Sequence, residues 1–296
     1  MFTPAGAAIS SGEKQYILDG VKQNVREDGR GRFDTRSSRV ETGFLLHVNG
    51  SARHTTLYNG TDVIASVKAN FVEPETASPR QGKISCNVQA REGLSLANTS
   101  PAVLTQRLQR IFSGSEFLDQ LCICPGQYCW LLNVDVFIVS CDGNALDYVV
   151  QATHAALNSV VLPRVSVIDG DGGTKILDVS NDPTVHSTLD TSMLPVSISL
   201  WLLGGVPIID TTKKEELCAD SSITICMDRE NSICGLYKAG EQAVAPKVIK
   251  LCIGAAANIV KGIFESFDKS LQGEKASTKR RDIVLEEESK VAGFNL

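Results

Sequence analysis

No run of this 296-residue sequence approaches the ~20 consecutive apolar residues that a membrane-spanning helix needs. Positive charge is scarce too: 29 Lys and Arg stand against 34 Asp and Glu, a formal charge of −5. No strong positive field therefore covers the whole surface, which counts against a free-standing nucleic-acid binder. RNA contact through a few local arginines stays open, with a partner supplying much of the charge. His47, His54, His154 and His186 are scattered, none at a ligand spacing, and no paired CxxC units with zinc spacing occur among the nine cysteines. No cofactor or metal is expected. The N-terminus starts with small and polar residues rather than a secretory signal, and most cysteines lie in apolar runs such as Leu121-Cys122-Ile123-Cys124. They are expected to be reduced and buried, in a cytosolic or nuclear compartment.

What is present fits a folded chain of one large or two smaller domains: 43% hydrophobic and 21% charged residues, with only 24 glycines and 10 prolines. Ser10 to Arg26 reads as a helix capped by Ser10 or Ser11, with Tyr16, Ile17 and Val21 on one face. The charged, glycine-containing stretch to Arg32 breaks it. Asn49-Gly50 and Asn59-Gly60 are hairpin-turn dipeptides, and Thr61 to Phe71 alternates as a strand. After a loop over Pro74 to Gly82, Pro101 to Phe112 is a helix with Val103, Leu104, Leu108 and Ile111 as its apolar positions. Trp130 to Val139 is a strand dense in β-branched and aromatic residues. Cys141-Asp142-Gly143-Asn144 follows as a turn whose Asn144 can cap the next helix. That helix shows one apolar face: Leu146, Val149, Val150, Thr153, Ala156 and Leu157. The polar segment Asp169 to Asp190 is placed as a domain boundary. The scheme then repeats, with strands near Val196–Trp201, Val206–Asp210, Ser222–Asp228 and Ser232–Lys238, and a long helix from Pro246 to about Ser270. The expected divisions are a leading helix and loop (1–31), a first domain (32–168), a second domain (169–270) and a flexible tail (271–296). Lys279-Arg280-Arg281 is followed by Glu286-Glu287-Glu288, and reads as part of a solvated tail.

Six motifs in order carry a resemblance. They are Asn24-Val-Arg-Glu-Asp-Gly-Arg-Gly-Arg32, Asn49-Gly-Ser-Ala-Arg53, Gly60-Thr-Asp-Val-Ile64, Trp130–Asp135, Asp142-Gly-Asn-Ala-Leu-Asp147, and Ile209-Asp-Thr-Thr-Lys-Lys-Glu-Glu216. Together they resemble the RNase PH superfamily of phosphorolytic 3′-to-5′ exoribonucleases and its relatives in the eukaryotic RNA exosome. The resemblance implies an α+β, RNase PH-like fold (ribosomal protein S5 domain 2-like) in two pseudo-related sheet-and-helix halves.

Family membership does not decide activity. Active members resemble one another in an Asp-Gly-Gly-Thr-Arg or Ser-Arg run, whose hydroxyl and guanidinium hold a phosphate at a helix N-terminus. Here the hydroxyl position is Ala145 and the guanidinium position is Leu146. Hydrogen bonds to charged groups contribute ~1.5–3 kcal/mol each. Losing two would cost on the order of 3–6 kcal/mol, or ~10²–10⁴-fold in rate. Active members also resemble one another in two aspartates six apart; Asp210 keeps the first position and Glu216 stands at the second. Lys213 to Glu216 on its own reads as a solvated helix start. The arginine-bearing loop of active members has no arginine here between Glu92 and Ser100.

The resemblance therefore implies a catalytically silent ring subunit supporting rRNA maturation and RNA turnover in nucleus, nucleolus and cytoplasm. Its implied partners are other RNase PH-like subunits in a hetero-hexameric ring, S1/KH-type cap subunits, a separate hydrolytic nuclease, and single-stranded RNA through the pore. Arg110 and Arg107 are the first candidates for backbone contacts with that RNA, and Arg53 and Arg91 are weaker ones. Two alternatives stay open: an active phosphorolytic exoribonuclease, and an inert chain that lends an arginine to a partner's composite site.

Overall fold

The computed structural model describes residues 9–57, 60–114, 116–169, 175–180 and 186–291, with side chains through Lys269. Helix α1 (Ser11–Lys22) starts on Ser10, whose hydroxyl accepts the Glu13 N–H at 3.2 Å. It stops short of the expected Arg26 because Asn24 turns the chain into the left-handed region, at φ 60°. Ile17 and Val21, one helical turn apart, enter a small core with Leu203, Ile208 and Cys218. Tyr16, expected on their face, lies 100° round the helix from Ile17 and is 69% exposed.

The first sheet holds β1 (Ser38–Thr42), β2 (Gly50–Thr56), β3 (Asp62–Val72), β4 (Lys83–Ala90), β5 (Cys122–Cys124) and β6 (Tyr128–Ser140). Its order is β1-β2-β3-β6-β4, with β5 on β6, and within it only β4 and β6 run parallel. Val63, Ala65 and Val67 alternate into the core, as period two requires. Asn49-Gly50 is not a two-residue hairpin turn, as expected from its composition. Gly50 opens β2, where a Cβ would strike the Ala156 carbonyl and Val160. Asn59 of the second dipeptide lies outside the described residues.

Helix α2 (Pro101–Ser113) is capped by Ser100 and buries Leu104, Leu108, Ile111 and Phe112, while Val103, expected with them, is 38% exposed. Helix α3 (Ala145–Asn158) departs more from expectation. Instead of one apolar face, every residue but Gln151 and Asn158 is buried, because the helix lies between the two sheets. Next come β7 (Val161–Pro163), β8 (Val165–Asp169), β9 (Lys175–Val179) and β10 (His186–Thr188), where β7 pairs with β10 and β8 with β9.

The second sheet contains β11 (Val196–Leu203), β12 (Val206–Ile209), β13 (Ser221–Met227) and β14 (Ile233–Gly240), antiparallel in the order β12-β11-β13-β14. Between β12 and β13 sits the short α4 (Lys213–Cys218). The backbone of α5 (Pro246–Val291) stays helical past Ser270, where the apolar periodicity fades. Its Cys252, Ala256, Val260, Phe264 and Phe267 join the main core, and His154 of α3 stacks on Phe267 at 5.4 Å. The result is α+β: two antiparallel-rich sheets enclosing α3, with α5 packed across β1, β11 and β13. No described helix is long and apolar enough to cross a membrane. None of the nine cysteines is in a disulfide; six are buried, whereas Cys234 is exposed.

Candidate functional site

Two chain reversals meet at the seam between the halves. The first is the turn from β6 into α3. Gly143 has φ +86°, and a Cβ there would collide with the Thr211 carbonyl and Thr212. Asn144 is left-handed at φ 54°, and its side chain makes no capping bond, contrary to expectation. Its backbone N–H instead donates to Glu216 Oε1 at 2.5 Å. The second reversal is Asp210-Thr211-Thr212, with Asp210 at φ 45°. Thr212 caps α4 in a reciprocal capping box with Glu215.

Asp210 is fully engaged. Arg36 donates to it from Nε at 3.0 Å, from Nη2 at 2.6 Å and from its backbone N–H at 2.6 Å. Arg30 adds a contact at 3.1 Å and the Tyr148 hydroxyl one at 3.0 Å. Burial pushes the Asp210 carboxyl up, but the Arg36 guanidinium and Arg30 outweigh it and hold it below its ordinary value. Glu215 is engaged as well, with Arg26 donating to both its oxygens at 2.8 and 2.6 Å. Arg26, Arg36 and Tyr148 are functional-site neighbours that the sequence reading missed. Arg26 stands inside a family motif, which is a signal; Arg36 has none.

Glu216 lies on the other side of the seam. The expected solvated helix start is therefore wrong for half its length. Glu215 and Glu216 are 5% and 3% exposed, whereas Lys214 reaches out to Glu13 and Glu27 at 3.2 and 3.5 Å. The reason is the capping geometry, which turns the first-turn carboxyls inward toward the seam. Burial pushes the Glu216 carboxyl up to about 8 and that of the neighbouring Asp147 up to about 6. Asp147 accepts from Ser197, at 2.7 Å, and from the Ser199 hydroxyl and backbone N–H.

A cavity of about 580 Å³ opens on this face, lined by Ala145, Leu146, Asn144, Glu216, Arg107, Ser199 and Trp201 among others. Trp201 Nε1, Ser221 Oγ and Thr99 Oγ1 on its walls have no hydrogen-bond partner among the described residues. A second cavity of about 560 Å³ lies behind Asn144 and takes in Arg36, Asp210, Tyr148 and His54. So the structure gathers Ala145, Leu146, Glu216 and Arg107 round one cavity and leaves Asp210 on the other. Arg110 is exposed on the next turn of α2. Arg107 and Arg110 have no carboxylate partner among the described residues. Arg53 is held by Asp62 at 3.0 and 2.7 Å, and Arg91 is exposed beyond β4; neither lines either cavity.

Chemically, the first cavity could hold a hydroxyl-rich or heterocyclic group against Arg107. For a phosphate it offers poor terms, since Leu146 is apolar, Ala145 has no hydroxyl and Glu216 stands at the helix start. No described group of three His, Cys, Asp or Glu side chains could hold a metal ion.

Comparison with known proteins gives two matches to domains of one family. The family model described as the 3′ exoribonuclease family, domain 1, matches residues 34–163, and the model for domain 2 of that family matches 193–259. The putative exosome complex exonuclease RRP42 of Dictyostelium discoideum is 27% identical, over 89% of this chain and 98% of its own length. The exosome complex component Rrp42 of Methanothermobacter thermautotrophicus is also 27% identical, over 87% and 95%. Among solved structures, the Archaeoglobus fulgidus exosome with RNA bound to the active site contains a chain that superposes with a TM-score of 0.70. It is 25% identical and covers 86% of this chain and 97% of that one.

Proposed function

The chain belongs to the RNase PH family of 3′ exoribonucleases, and from that premise we propose that it serves as a non-catalytic subunit of an RNA exosome core ring, supporting 3′-to-5′ RNA processing. The observation that carries the non-catalytic part is the wall around α3. Ala145 and Leu146 line the cavity, and the resemblance to active members assigns to these two positions the hydroxyl and guanidinium that grip phosphate. The acidic residue Asp210 is turned away and neutralised by Arg36. Relatives named as exosome components, similar over nearly their whole lengths, support the ring reading.

In this reading the chain pairs with other RNase PH-like subunits in a hetero-hexamer, beneath S1/KH-type caps and beside a separate hydrolytic nuclease. It acts in nucleus, nucleolus and cytoplasm, on rRNA precursors and RNA in turnover. Single-stranded RNA passing the pore meets Arg107 and Arg110 on α2 through its phosphates. The same unpaired arginines favour a second reading, in which they complete a partner's active site while this chain stays inert.

Cross-linking of single-stranded RNA to the reconstituted ring tests the contact. Arg107→Ala with Arg110→Ala should weaken binding alike across sequences and reduce the salt slope by about 0.7 per lost phosphate contact. Arg53→Ala, which breaks a pair with Asp62, should leave RNA binding unchanged. Unaltered cross-links and salt slope in the α2 double variant would contradict the pore-wall role. Loss of the ring's phosphorolysis in that variant would select the second reading.

A further inference from the structure

The absent clamp is one obstacle to phosphate; the position of Glu216 is a second. An α-helix leaves its first N–H groups without intrahelical acceptors; a capping side chain, water or a bound oxyanion can take them. At the start of α3 one of these groups, the Asn144 N–H, already has an acceptor: Glu216 Oε1 at 2.5 Å. Glu216 is 3% exposed, and the Thr211 hydroxyl lies at 3.4 Å from the same oxygen.

The surroundings hold it there. Gly143 lets the turn press against Thr211 and Thr212 with no room for a side chain. Asn98 donates to the Glu216 carbonyl at 2.7 Å, fixing α4 from the loop that precedes α2. In the same first turn of α3, Leu146 is 6% exposed and lines the same cavity as Glu216. We infer that Glu216 is a built-in occupant of the α3 terminus, its carboxyl oxygen standing where an incoming phosphate oxygen would, so that the chain excludes phosphate by its own side chain as well as by lacking the clamp. Glu216 is thus a specificity-determining residue for this cavity, and restoring the clamp alone does not restore phosphate binding. The inference deepens the non-catalytic reading and rests on it.

The test is titration of inorganic phosphate into the full chain, followed by calorimetry or phosphorus NMR, for three proteins. These are the unmodified chain, Ala145→Ser/Leu146→Arg, and that double variant with Glu216→Ala added. The expected result is phosphate affinity in the double variant within about twofold of the unmodified chain, and at least tenfold tighter binding once Glu216 is removed. If Glu216→Ala fails to fold by circular dichroism, Glu216→Asp replaces it; withdrawing the carboxyl by one methylene should tighten binding at least threefold over the double variant. Equal binding by the double and triple variants, or no binding by either, overturns the inference and leaves the non-catalytic reading intact. Phosphate binding by the unmodified chain would overturn both.

Discussion

Asp210 and Glu216 stand six residues apart at one seam, and burial raises both carboxyls. Counter-charge separates them. Asp210 touches Arg36 and Arg30 and is held below 3.8, whereas Glu216 is hydrogen-bonded to a backbone N–H and a hydroxyl and titrates at about 8. Between 4.5 and about 8 the folded chain therefore keeps a proton on Glu216 that the unfolded chain has released. The folded state binds more protons in that window, so the Glu216 contribution makes stability fall as pH rises through it. Asp210 works in the opposite sense: its depressed value contributes stability above 3.8, lost as acid protonates the group. Glu216→Gln should make the decline between about pH 5 and 8 shallower by up to about 1.4 kcal/mol per pH unit. Denaturant midpoints across a pH series check this, and an unchanged slope would contradict the buried, proton-holding carboxyl. At this scale the sequence is legible where a motif marks the position, as for Asp210, Ala145 and Leu146. Arg36 and Tyr148 were out of reach because they meet Asp210 from 174 and 62 residues away, and no local period records such a meeting.

Among the elements, the turn into α3 is the one on which the site depends. Gly143 and Gly126 both have positive φ, at 86° and 76°, but only Gly143 faces backbone within reach of a new Cβ. Gly143→Ala should therefore destabilise by at least about 1 kcal/mol more than Gly126→Ala, since both carry the left-handed penalty and one adds a collision. Equal losses in urea unfolding would contradict the close approach of the turn to α4. Strands and helices with a single buried side, such as β3 and α2, follow the period of their apolar residues and are legible in the sequence. Helix α3 is not, because it is enclosed on all sides, and its buried Asp147 and His154 look like a solvent face in the pattern. Gly50 misleads for a different reason: its glycine serves a close approach to α3 and Val160, and the Asn-Gly pair imitates a turn.

For the whole molecule, the two-sheet architecture with α3 at its centre is held by ties that cross the seam between the halves. The carboxylates and arginines at the seam are spent on joining the halves: Arg26 with Glu215, Arg36 with Asp210, and Glu216 with the start of α3. None of these ties runs through the side chain of Ala145 or Leu146, so in the proposed reading the fold stands without a phosphate grip and serves assembly and RNA passage. Six ordered motifs make the fold class legible from the sequence, while the self-filled α3 terminus needs the packing. The most direct measurement is phosphorolysis of a 3′-tailed single-stranded RNA by the purified full chain, with and without inorganic phosphate. The account predicts no nucleoside diphosphate under either condition; phosphate-dependent release of nucleoside diphosphates by the unmodified chain would contradict it.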